Sequence, residues 1–219
     1  KQALVAGRLG KVVLCDTAIK WWRTQEYYES GAWRGTWDLD GGGALMNQSI
    51  HTIDLMLYLM GDVQSVSASG GLEAHSGIEV EDVAVAIIEF KSGARGVIQA
   101  STACYSNTGL PASIHICGDQ GSIRMVDDKF NIWDLKHTLA GDDEILQNHG
   151  LQSSQSGAGA ADPKAIDFQW HQRNFENALL ALDKNETPAV DGKEGRRAVE
   201  LICAIYESIK NHGIKITLK

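Results

Sequence analysis

The chain has 219 residues, of which 43% are hydrophobic and 22% are charged, a composition that is ordinary for a globular protein with a sizeable core. Acidic residues outnumber basic residues by 28 to 20, and the seven histidines do not cluster with basic residues, so the positive surface of a nucleic-acid-binding protein is missing. The apolar runs are much shorter than the roughly 20 residues that a membrane helix needs, and residues 1–15 lack the pattern of a signal peptide. We therefore expect a cytoplasmic protein that binds neither nucleic acid nor membrane.

The chain opens like the end of a helix, followed by a glycine stop and a strand over residues 12–19. Because the first residue is not Met, we expect the sequence to begin inside a longer protein. Residues 21–37 are rich in Trp and Tyr. Apolar residues then recur in steps of three and four from Met46 to Met60, just before Gly61, and this spacing predicts an amphipathic helix.

The middle of the chain is typical of strands joined by short turns. Residues 63–69 and 80–90 are predicted strands, and further hairpins follow with turns near residues 91–94, 118–121 and 127–128. Consecutive hairpins give an antiparallel meander, because short connections cannot make parallel crossovers. The sequence thus predicts an α+β fold, in which a large, mostly antiparallel, open-faced sheet carries helices on one face.

The last third of the chain contains a polar segment and two further helices. Residues 141–163 have the composition of a flexible surface loop. Two amphipathic helices are predicted at 166–182 and 194–210, and a strand closes the chain. No internal repeat or boundary divides residues 1–219, which we treat as one domain. The side chains predicted to face inward are Phe168, Phe175, Leu179 and Leu182 in the first helix and Ala198, Leu201, Ile202, Ile205 and Ile209 in the second.

The four cysteines lie far apart, at positions 15, 104, 117 and 203, and none forms a CxxC pair. Reduced thiols in a cytosolic protein fit this spacing better than a disulfide framework or a zinc knuckle does. We therefore interpret all four cysteines as core residues.

Three polar residues on the predicted helix, Asn47, His51 and Asp54, are spaced by four and three, so they share one stripe of an α-helix beside the apolar one. The glycines at 41–43 permit close approach of another group, and the first helical turn offers free N–H donors. An imidazole is suited to moving a proton near neutral pH, and a carboxylate one turn away can fix its tautomer.

Two other interpretations of this stripe stay open. A single HxxD on an amphipathic helix is more often a surface pair than an active site, by roughly three to one. A metal site is less favoured, because HxxD supplies at most two ligands and no HExxH or Cys/His motif accompanies it. We therefore predict no metal.

The aromatic stretch before the glycines either fills a core or forms the wall of a pocket for a ring-shaped ligand. Lys20, Arg23 and Arg34 are interleaved with the aromatic residues, and these cations would suit a sugar that carries a carboxylate or a phosphate. His171, on the first of the late helices, is by default a solvent-exposed histidine.

Five motifs together resemble the C-terminal domain of the Gfo/Idh/MocA family of NAD(P)-dependent oxidoreductases, a dihydrodipicolinate-reductase-like C-terminal domain. The resemblance runs nearly end to end, and its most specific part is the long motif that contains the glycines and HxxD. The motifs are GRLGKVV at 7–13, YYESGAWRGTWDLDGGGALMNQSIHTIDLMLYLMG at 27–61, GDQGSI at 118–123, HQRNFENAL at 171–179 and DGKEGRRAVELICAIYESIKNHGIKITL at 191–218.

The resemblance implies a two-domain enzyme that oxidises or reduces sugars, sugar nucleotides or polyols. NAD or NADP is bound mainly by an N-terminal Rossmann domain, and neither its GxGxxG motif nor the family's EKP lysine is present in this chain. The resemblance therefore implies that the isolated chain binds no cofactor and is inactive. It also implies a homodimer or homotetramer assembled through the open sheet face.

Carried onto this sequence, the family's pattern makes His51 the acid/base residue beside the reacting hydroxyl. Many members have Asp where this chain has Asn47, so here that residue can only orient His51 or bind a substrate hydroxyl. The remaining assignments are Asp54 as support for His51, Tyr28, Arg34 and His171 as substrate contacts, and Gly42 and Gly43 close to the cofactor.

Two competing functions remain at this stage. One is a stand-alone, non-catalytic module that binds a ligand or mediates assembly, which the missing Rossmann half favours. The other is metal-dependent hydrolysis at His51 and Asp54, which needs at least three protein ligands for the metal.

Overall fold

The computed structural model describes residues 1–151 and 169–219. The strands are β1 Val12–Lys20, β2 Val63–Gly71, β3 Val83–Phe90, β4 Arg95–Ser101, β5 Ser113–Gly118, β6 Gly121–Val126, β7 Lys129–Leu135 and β8 Ile216–Thr217. The helices are α1 Gln2–Val5, α2 Gln25–Glu29, a π-helix Ala44–Ser49 that runs into α3 Ile50–Met60, α4 Asp142–His149, α5 Gln169–Lys184 and α6 Gly192–Lys210.

The eight strands of the described residues form one sheet in the order β7-β6-β5-β1-β4-β3-β2-β8. Neighbouring strands are antiparallel except for β1 and β4, which run parallel. The predicted α+β fold with a mostly antiparallel sheet is therefore confirmed. The simple meander is wrong around β1, which lies between the consecutive strands β4 and β5 and runs parallel to β4. The parallel pair is possible because the connection from β1 to β4 is long and contains α2, α3, β2 and β3.

Helices α3 and α6 cover one face of the sheet. Their apolar side chains pack against alternate residues of the central strands, and on β3 these are Ala84, Ala86, Ile88 and Phe90. Burial of an Ile or Leu side chain contributes about 1.5–3 kcal/mol, so this layer fixes the position of α3 on the sheet. The buried apolar residues are Ile53, Met56 and Leu57 in α3 and Ala198, Leu201, Ile202, Ala204 and Ile205 in α6.

The opposite face of the sheet is open and partly apolar. On β3 the residues between the core positions point to this face, where Val85 is 45% exposed and Ile87 is 59% exposed. Apolar residues are thus present on both sides of this strand. Pairing across the sheet aligns Ile87 with Val97 on β4 and Val97 with Asp16 on β1, so the face is a mixed apolar and charged surface.

The two late helices differ in how they use their apolar residues. The prediction for α6 is correct, since its inward positions are buried or packed against the core. The prediction for α5 is wrong, because Phe175, Leu179 and Leu182 are 72%, 61% and 75% exposed. Amphipathic spacing identifies an apolar side of a helix but not what covers it, and Phe168 lies outside the described residues.

The polar segment after β7 is not all loop. Residues 142–149 form α4, whose first residue, Asp142, accepts two hydrogen bonds from the Arg8 guanidinium at 2.7 and 2.6 Å. Asp142 also accepts from the indole of Trp133 at 3.0 Å and the backbone N–H of Leu139 at 2.8 Å. The hydrogen bonds from Arg8 hold the pKa of Asp142 far below its usual range. Residues 152–163 of the predicted loop lie outside the described residues.

The cysteines differ in burial, and their prediction as core residues is wrong for three of the four. Only Cys15 is buried, while Cys104 and Cys117 are half-buried and Cys203 is exposed. Within residues 1–151 and 169–219, we found no helix with the length and apolar character to cross a bilayer.

Candidate functional site

The helix that carries the candidate site begins as a π-helix, so the prediction of one continuous α-helix is wrong over its first six residues, Ala44–Ser49. The hydroxyl of the fully buried Ser49 donates to the carbonyl of Ala44 at 2.6 Å and supports this wide turn. Short π segments in α-helices often occur at functional sites. Because the π-to-α junction falls between Asn47 and His51, their spacing of four does not stack them as it would in an α-helix.

Glu81, two residues before β3, caps this helix. Its carboxylate accepts from the backbone N–H of Gly43 at 3.0 Å and of Leu45 at 2.8 Å, and its own carbonyl accepts from the N–H of Ala44 at 3.0 Å. The hydroxyl of Tyr206 on α6 donates to the same carboxylate at 3.1 Å. Burial raises the pKa of Glu81, although these hydrogen bonds oppose the rise. The predicted free N–H donors of the first turn are therefore not free, because Glu81 already accepts from them.

Gly42 and Gly43 allow this close contact. A Cβ atom on Gly43 would lie 1.8 Å from the carbonyl oxygen of Glu81, and one on Gly42 would lie 2.1 Å from the hydroxyl of Tyr206. Gly42 also has a φ of +152°, a backbone angle that residues with a side chain rarely adopt. The two glycines thus permit close contact with Glu81 and Tyr206 of the same chain. Their position close to a cofactor stays a prediction.

Asn47 is half-buried, and both ends of its amide are engaged. The amide nitrogen donates to the carboxylate of Asp40, and the amide oxygen accepts from the side chain of Gln48. Asp40 is itself held by the backbone N–H of Gly35, which donates to it at 2.9 Å. No contact between Asn47 and His51 is among the hydrogen bonds of the described residues. The amide retains one N–H and one lone pair for a ligand.

Gln48 connects Asn47 to the aromatic stretch. Its side-chain oxygen accepts from the guanidinium of Arg23 at 2.8 Å, and its nitrogen donates to the hydroxyl of Tyr27 at 3.1 Å. The guanidinium of Arg34 donates to the same hydroxyl at 2.7 Å and lies 4.2 Å from the ring centroid of Tyr27. Burial lowers the pKa of Arg23. The predicted juxtaposition of arginines and aromatic rings is thus present beside the π-helix.

His51, at the start of α3, is exposed and makes no hydrogen bond to any residue that the structure describes. Its imidazole lines a surface pocket of about 190 Å³ between α3 and the ends of β5 and β6. The other residues of the pocket are Thr52, Leu55, Ala112, Ser113, Ile114, Met125 and Asp127. The imidazole is therefore accessible to a ligand and available to exchange a proton.

Asp54 is exposed one turn beyond His51, and no hydrogen bond joins the two side chains among the described residues. Partial burial raises the pKa of Asp54, while the charge of Arg197 on α6 and that of His51 lower it. The carboxylate thus interacts with His51 through its charge, and the support role predicted for it stays a prediction.

Tyr28 and His171 are not brought together with His51. Tyr28 is 7% exposed, and its hydroxyl bonds the hydroxyl of Thr102 at 2.8 Å. Burial raises the pKa of Tyr28 to about 12. His171 is exposed on α5, and it makes no hydrogen bond to any residue that the structure describes. These placements favour a structural role for Tyr28, and substrate contact by either residue stays a prediction.

Four residues of the site were not singled out by the sequence: Tyr27, Asp40, Gln48 and Glu81. Asp40 had a usable signal, since a carboxylate directly before a glycine run and a helix is a candidate hydrogen-bond acceptor. Tyr27 and Tyr28 are adjacent, and composition cannot tell which of them faces outward. Glu81 is 38 residues from Gly43, so nothing local connects them.

No three His, Cys, Asp or Glu side chains lie together in a group that would hold a metal ion, as far as residues 1–151 and 169–219 are concerned. The available chemistry of the site is therefore that of an exposed imidazole, an oriented amide and two guanidinium groups next to aromatic rings.

Known proteins that are similar to this chain include two curated dehydrogenases. The curated myo-inositol 2-dehydrogenase of Thermotoga maritima is 26% identical over 178 residues, which are 77% of this chain and 47% of that protein. The D-apiose dehydrogenase of Rhizobium rhizogenes is 26% identical over 175 residues, which are 74% of this chain and 45% of that protein. The chain thus spans about half the length of the curated relatives that it matches.

Among solved structures, the WlbA dehydrogenase from Bordetella pertussis in complex with NADH and UDP-GlcNAcA is 32% identical, with a TM-score of 0.83. The match covers 100% of this chain and 58% of that one. The family model for the GFO/IDH/MocA C-terminal domain matches residues 1–124, which include the π-helix, His51 and the first five strands. Because this match covers more than half of the sequence, the chain belongs to the Gfo/Idh/MocA family and carries its C-terminal domain.

Proposed function

We propose that residues 1–219 form the substrate-binding and oligomerisation domain of an NAD(P)-dependent oxidoreductase. The full-length enzyme would transfer a hydride between the nicotinamide and a hydroxyl-bearing carbon of a sugar, sugar nucleotide or polyol. The dehydrogenases among the relatives support this reaction class. The observation that carries the proposal is the exposed His51 imidazole, which lines a surface pocket directly after the π-helix that carries Asn47 and Gln48.

In the oxidation direction, His51 accepts the proton of the substrate hydroxyl as a hydride leaves the carbon that bears it. In the reverse direction, the imidazolium returns this proton to the forming hydroxyl. An imidazole is suited to both steps, because a ring nitrogen accepts a proton in the neutral form and donates it in the imidazolium form. Asn47 uses its remaining N–H to bind a substrate hydroxyl, while Asp40 and Gln48 keep its amide oriented.

The cofactor's phosphates do not fit the glycine run, because Glu81 accepts from the N–H donors of Gly43, Ala44 and Leu45. When bound, the nicotinamide supplies the hydride acceptor or donor. We assign the binding of NAD or NADP mainly to the N-terminal half of the full-length protein, so the isolated chain should be inactive.

A sugar nucleotide is the substrate class that we favour. The Bordetella WlbA structure, a complex with UDP-GlcNAcA, matches this whole chain at 32% identity, and the two curated relatives match less of it at 26%. Arg34 would contact an anionic part of such a substrate, and this agrees with its position beside Tyr27.

We also propose that the open sheet face joins two copies of the protein in a homodimer, or four in a homotetramer. The support is the exposure of Val85 and Ile87 on the middle of this face, because an exposed apolar sheet surface is typical of an interface.

The decisive experiment is steady-state kinetics of the full-length protein with His51→Ala. Loss of the proton acceptor should reduce kcat by about 10²- to 10⁴-fold, while NAD(P) binding stays unchanged. His137→Ala is the matched control, since this histidine is exposed just after β7. If His51→Ala turns over within a few-fold of the unchanged enzyme, the assigned role is wrong. A full-length protein that does not bind NAD(P) would favour the non-catalytic module instead.

A further inference from the structure

The hydroxyl of Tyr27 is an acceptor in both of its hydrogen bonds. Arg34 donates to it at 2.7 Å and Gln48 donates to it at 3.1 Å. A phenol oxygen also carries one proton of its own to donate. No residue among 1–151 and 169–219 accepts this proton, so the O–H of Tyr27 is left for an acceptor that the described residues do not supply.

Arg34 is held in place by neutral groups. Its guanidinium lies 4.2 Å from the ring centroid of Tyr27 and 4.3 Å from that of Trp33, and its Nε donates to the hydroxyl of Ser30 at 3.2 Å. Within the described residues, it forms no ion pair with a carboxylate. The positive charge and the remaining N–H groups of Arg34 are therefore oriented but not neutralised.

The groups around Tyr27 that are left for a ligand are hydrogen-bond donors or positively charged groups. The outward groups of Tyr27 and Arg34 are hydrogen-bond donors, and the guanidinium of Arg23 lies 5.5 Å from the Tyr27 ring centroid. The nearby carboxylate of Asp40 is occupied by Asn47 and Gly35. A site that offers donors and positive charge selects a ligand group that only accepts hydrogen bonds and is negatively charged.

We propose that Tyr27 and Arg34 form a subsite for an oxyanion of the substrate, which is the carboxylate of a sugar acid or the phosphate of a sugar phosphate or nucleotide. This inference rests on the proposed function, because it places the anion on the substrate of that reaction. Three hydrogen bonds in series connect Arg34 to Asn47, so Nη1 of Arg34 lies no more than roughly 8 Å from Oδ1 of Asn47. A sugar with a charged substituent is long enough to contact both groups at once.

The test is isothermal titration calorimetry of the full-length protein in the presence of NAD(H), with two matched pairs of probes. UDP is compared with uridine, and D-glucuronate with D-glucose. Arg34→Gln should weaken the binding of at least one anion by about tenfold or more, and Tyr27→Phe should weaken it by about three- to tenfold. Arg34→Lys should lie between, because lysine keeps the charge but not the planar fork. The binding of uridine and glucose should be unchanged.

Arg196→Gln on α6 and Tyr105→Phe after β4 are the matched controls. Both residues are exposed, and neither shares a hydrogen bond with Tyr27 or Arg34 among the described residues. Loss of UDP binding alone would identify a phosphate subsite, and loss of glucuronate binding alone would identify a carboxylate subsite. Any of three results would overturn the inference. Anion binding could be unchanged in both variants, the losses could be equal for anionic and neutral probes, or the unchanged protein could bind no anion.

Failure of this inference is distinguishable from failure of the proposed function. His51→Ala should abolish turnover and leave anion binding intact. If His51→Ala behaves in this way while Arg34→Gln and Tyr27→Phe bind both anions normally, only the oxyanion subsite is rejected. Melting temperatures within a few degrees of the unchanged protein would establish that the variants are folded.

Discussion

The side-chain amide of Asn47 donates a hydrogen bond to the carboxylate of Asp40. Because a carboxylate only accepts hydrogen bonds, the residue at position 47 must present a donor to it. An aspartate there would place two negative charges in contact. The pairing therefore gives a physical reason for an amide rather than a carboxylate at position 47.

Exchanging the two side chains should preserve the pair. Asn47→Asp alone should lower kcat/KM by about tenfold, because two carboxylates in contact repel each other and displace the amide position. Asp40→Asn combined with Asn47→Asp restores one donor and one acceptor and should recover most of the lost activity. The measurement is kcat/KM of the full-length enzyme for the two single variants and the double variant.

If the double variant is as inactive as the two single losses combined, Asp40 does not position residue 47. Asp38→Asn is the matched control, because Asp38 is exposed in the same loop and has no side-chain hydrogen bond among the described contacts. It should have kcat/KM close to that of the unchanged enzyme.

Gly43→Ala should destabilise the protein by about 3 kcal/mol, because the new Cβ would lie 1.8 Å from the backbone oxygen of Glu81 and backbone atoms would have to move. Gly195→Ala is the control within α6, where a Cβ meets no atom within 4 Å, and it should stabilise the protein by about 0.5–1 kcal/mol through better helix propensity. Thermal unfolding measures both effects. Equal melting temperatures for the two variants would contradict the role assigned to Gly43.

The ion pair between Arg8 and Asp142 should make stability depend on acid pH. The pKa of Asp142 is lowered in the folded state from an ordinary value of 3.8, chiefly by the hydrogen bonds from Arg8. A lowered pKa stabilises the folded state above pH 3.8, and this contribution is lost as the pH falls from there towards the folded-state pKa. Asp142→Asn should therefore lower the melting temperature at pH 7, and the difference from the unchanged protein should shrink below pH 3.8.

The control for this pH dependence is Asp143→Asn, the next residue of α4, which is exposed. Its melting temperature should follow that of the unchanged protein from pH 7 to acid pH. If the difference in melting temperature between Asp142→Asn and the unchanged protein stays constant with pH, the lost stability does not come from the carboxylate charge.

Ile87→Lys should dissociate the proposed oligomer, because it places a charge on the middle of the open sheet face, where Ile87 is 59% exposed. Light scattering coupled to size-exclusion chromatography measures the mass. Val199→Lys, at an exposed position on α6, should leave the mass unchanged. An unchanged mass for Ile87→Lys would direct attention to a different surface, such as the exposed apolar side of α5.

Local patterns in the sequence predicted most elements of the fold. Period-two strands, short turns and the apolar spacing of α6 are fixed by neighbours along the chain, and these predictions agree with the structure. The parallel pair of β1 and β4 was missed because it depends on where a long connection places two distant strands. The exposed side of α5 was misassigned because amphipathic spacing carries no information on the partner.

The candidate site shows the same division. His51 and the arginines beside aromatic rings could be identified from residue type and spacing. The π-helix could not, because it depends on Ser49, on the glycines and on Glu81, which is distant in sequence and lies just before β3. The hydrogen bonds of Tyr27 were also inaccessible, since only the folded chain distinguishes the buried hydroxyl of Tyr28 from the outward one of its neighbour.

β1 lies between β4 and β5, although it is the first strand in the chain. During synthesis, β1 therefore has no neighbouring strand to pair with until β4, and then β5, has emerged from the ribosome. Pairs of such large sequence separation slow folding and prolong the time in which strand edges are open to aggregation. The half-sheets β4-β3-β2-β8 and β5-β6-β7 are joined only through β1 in the described strand order, so the last step of folding is expected to be the closure of this seam.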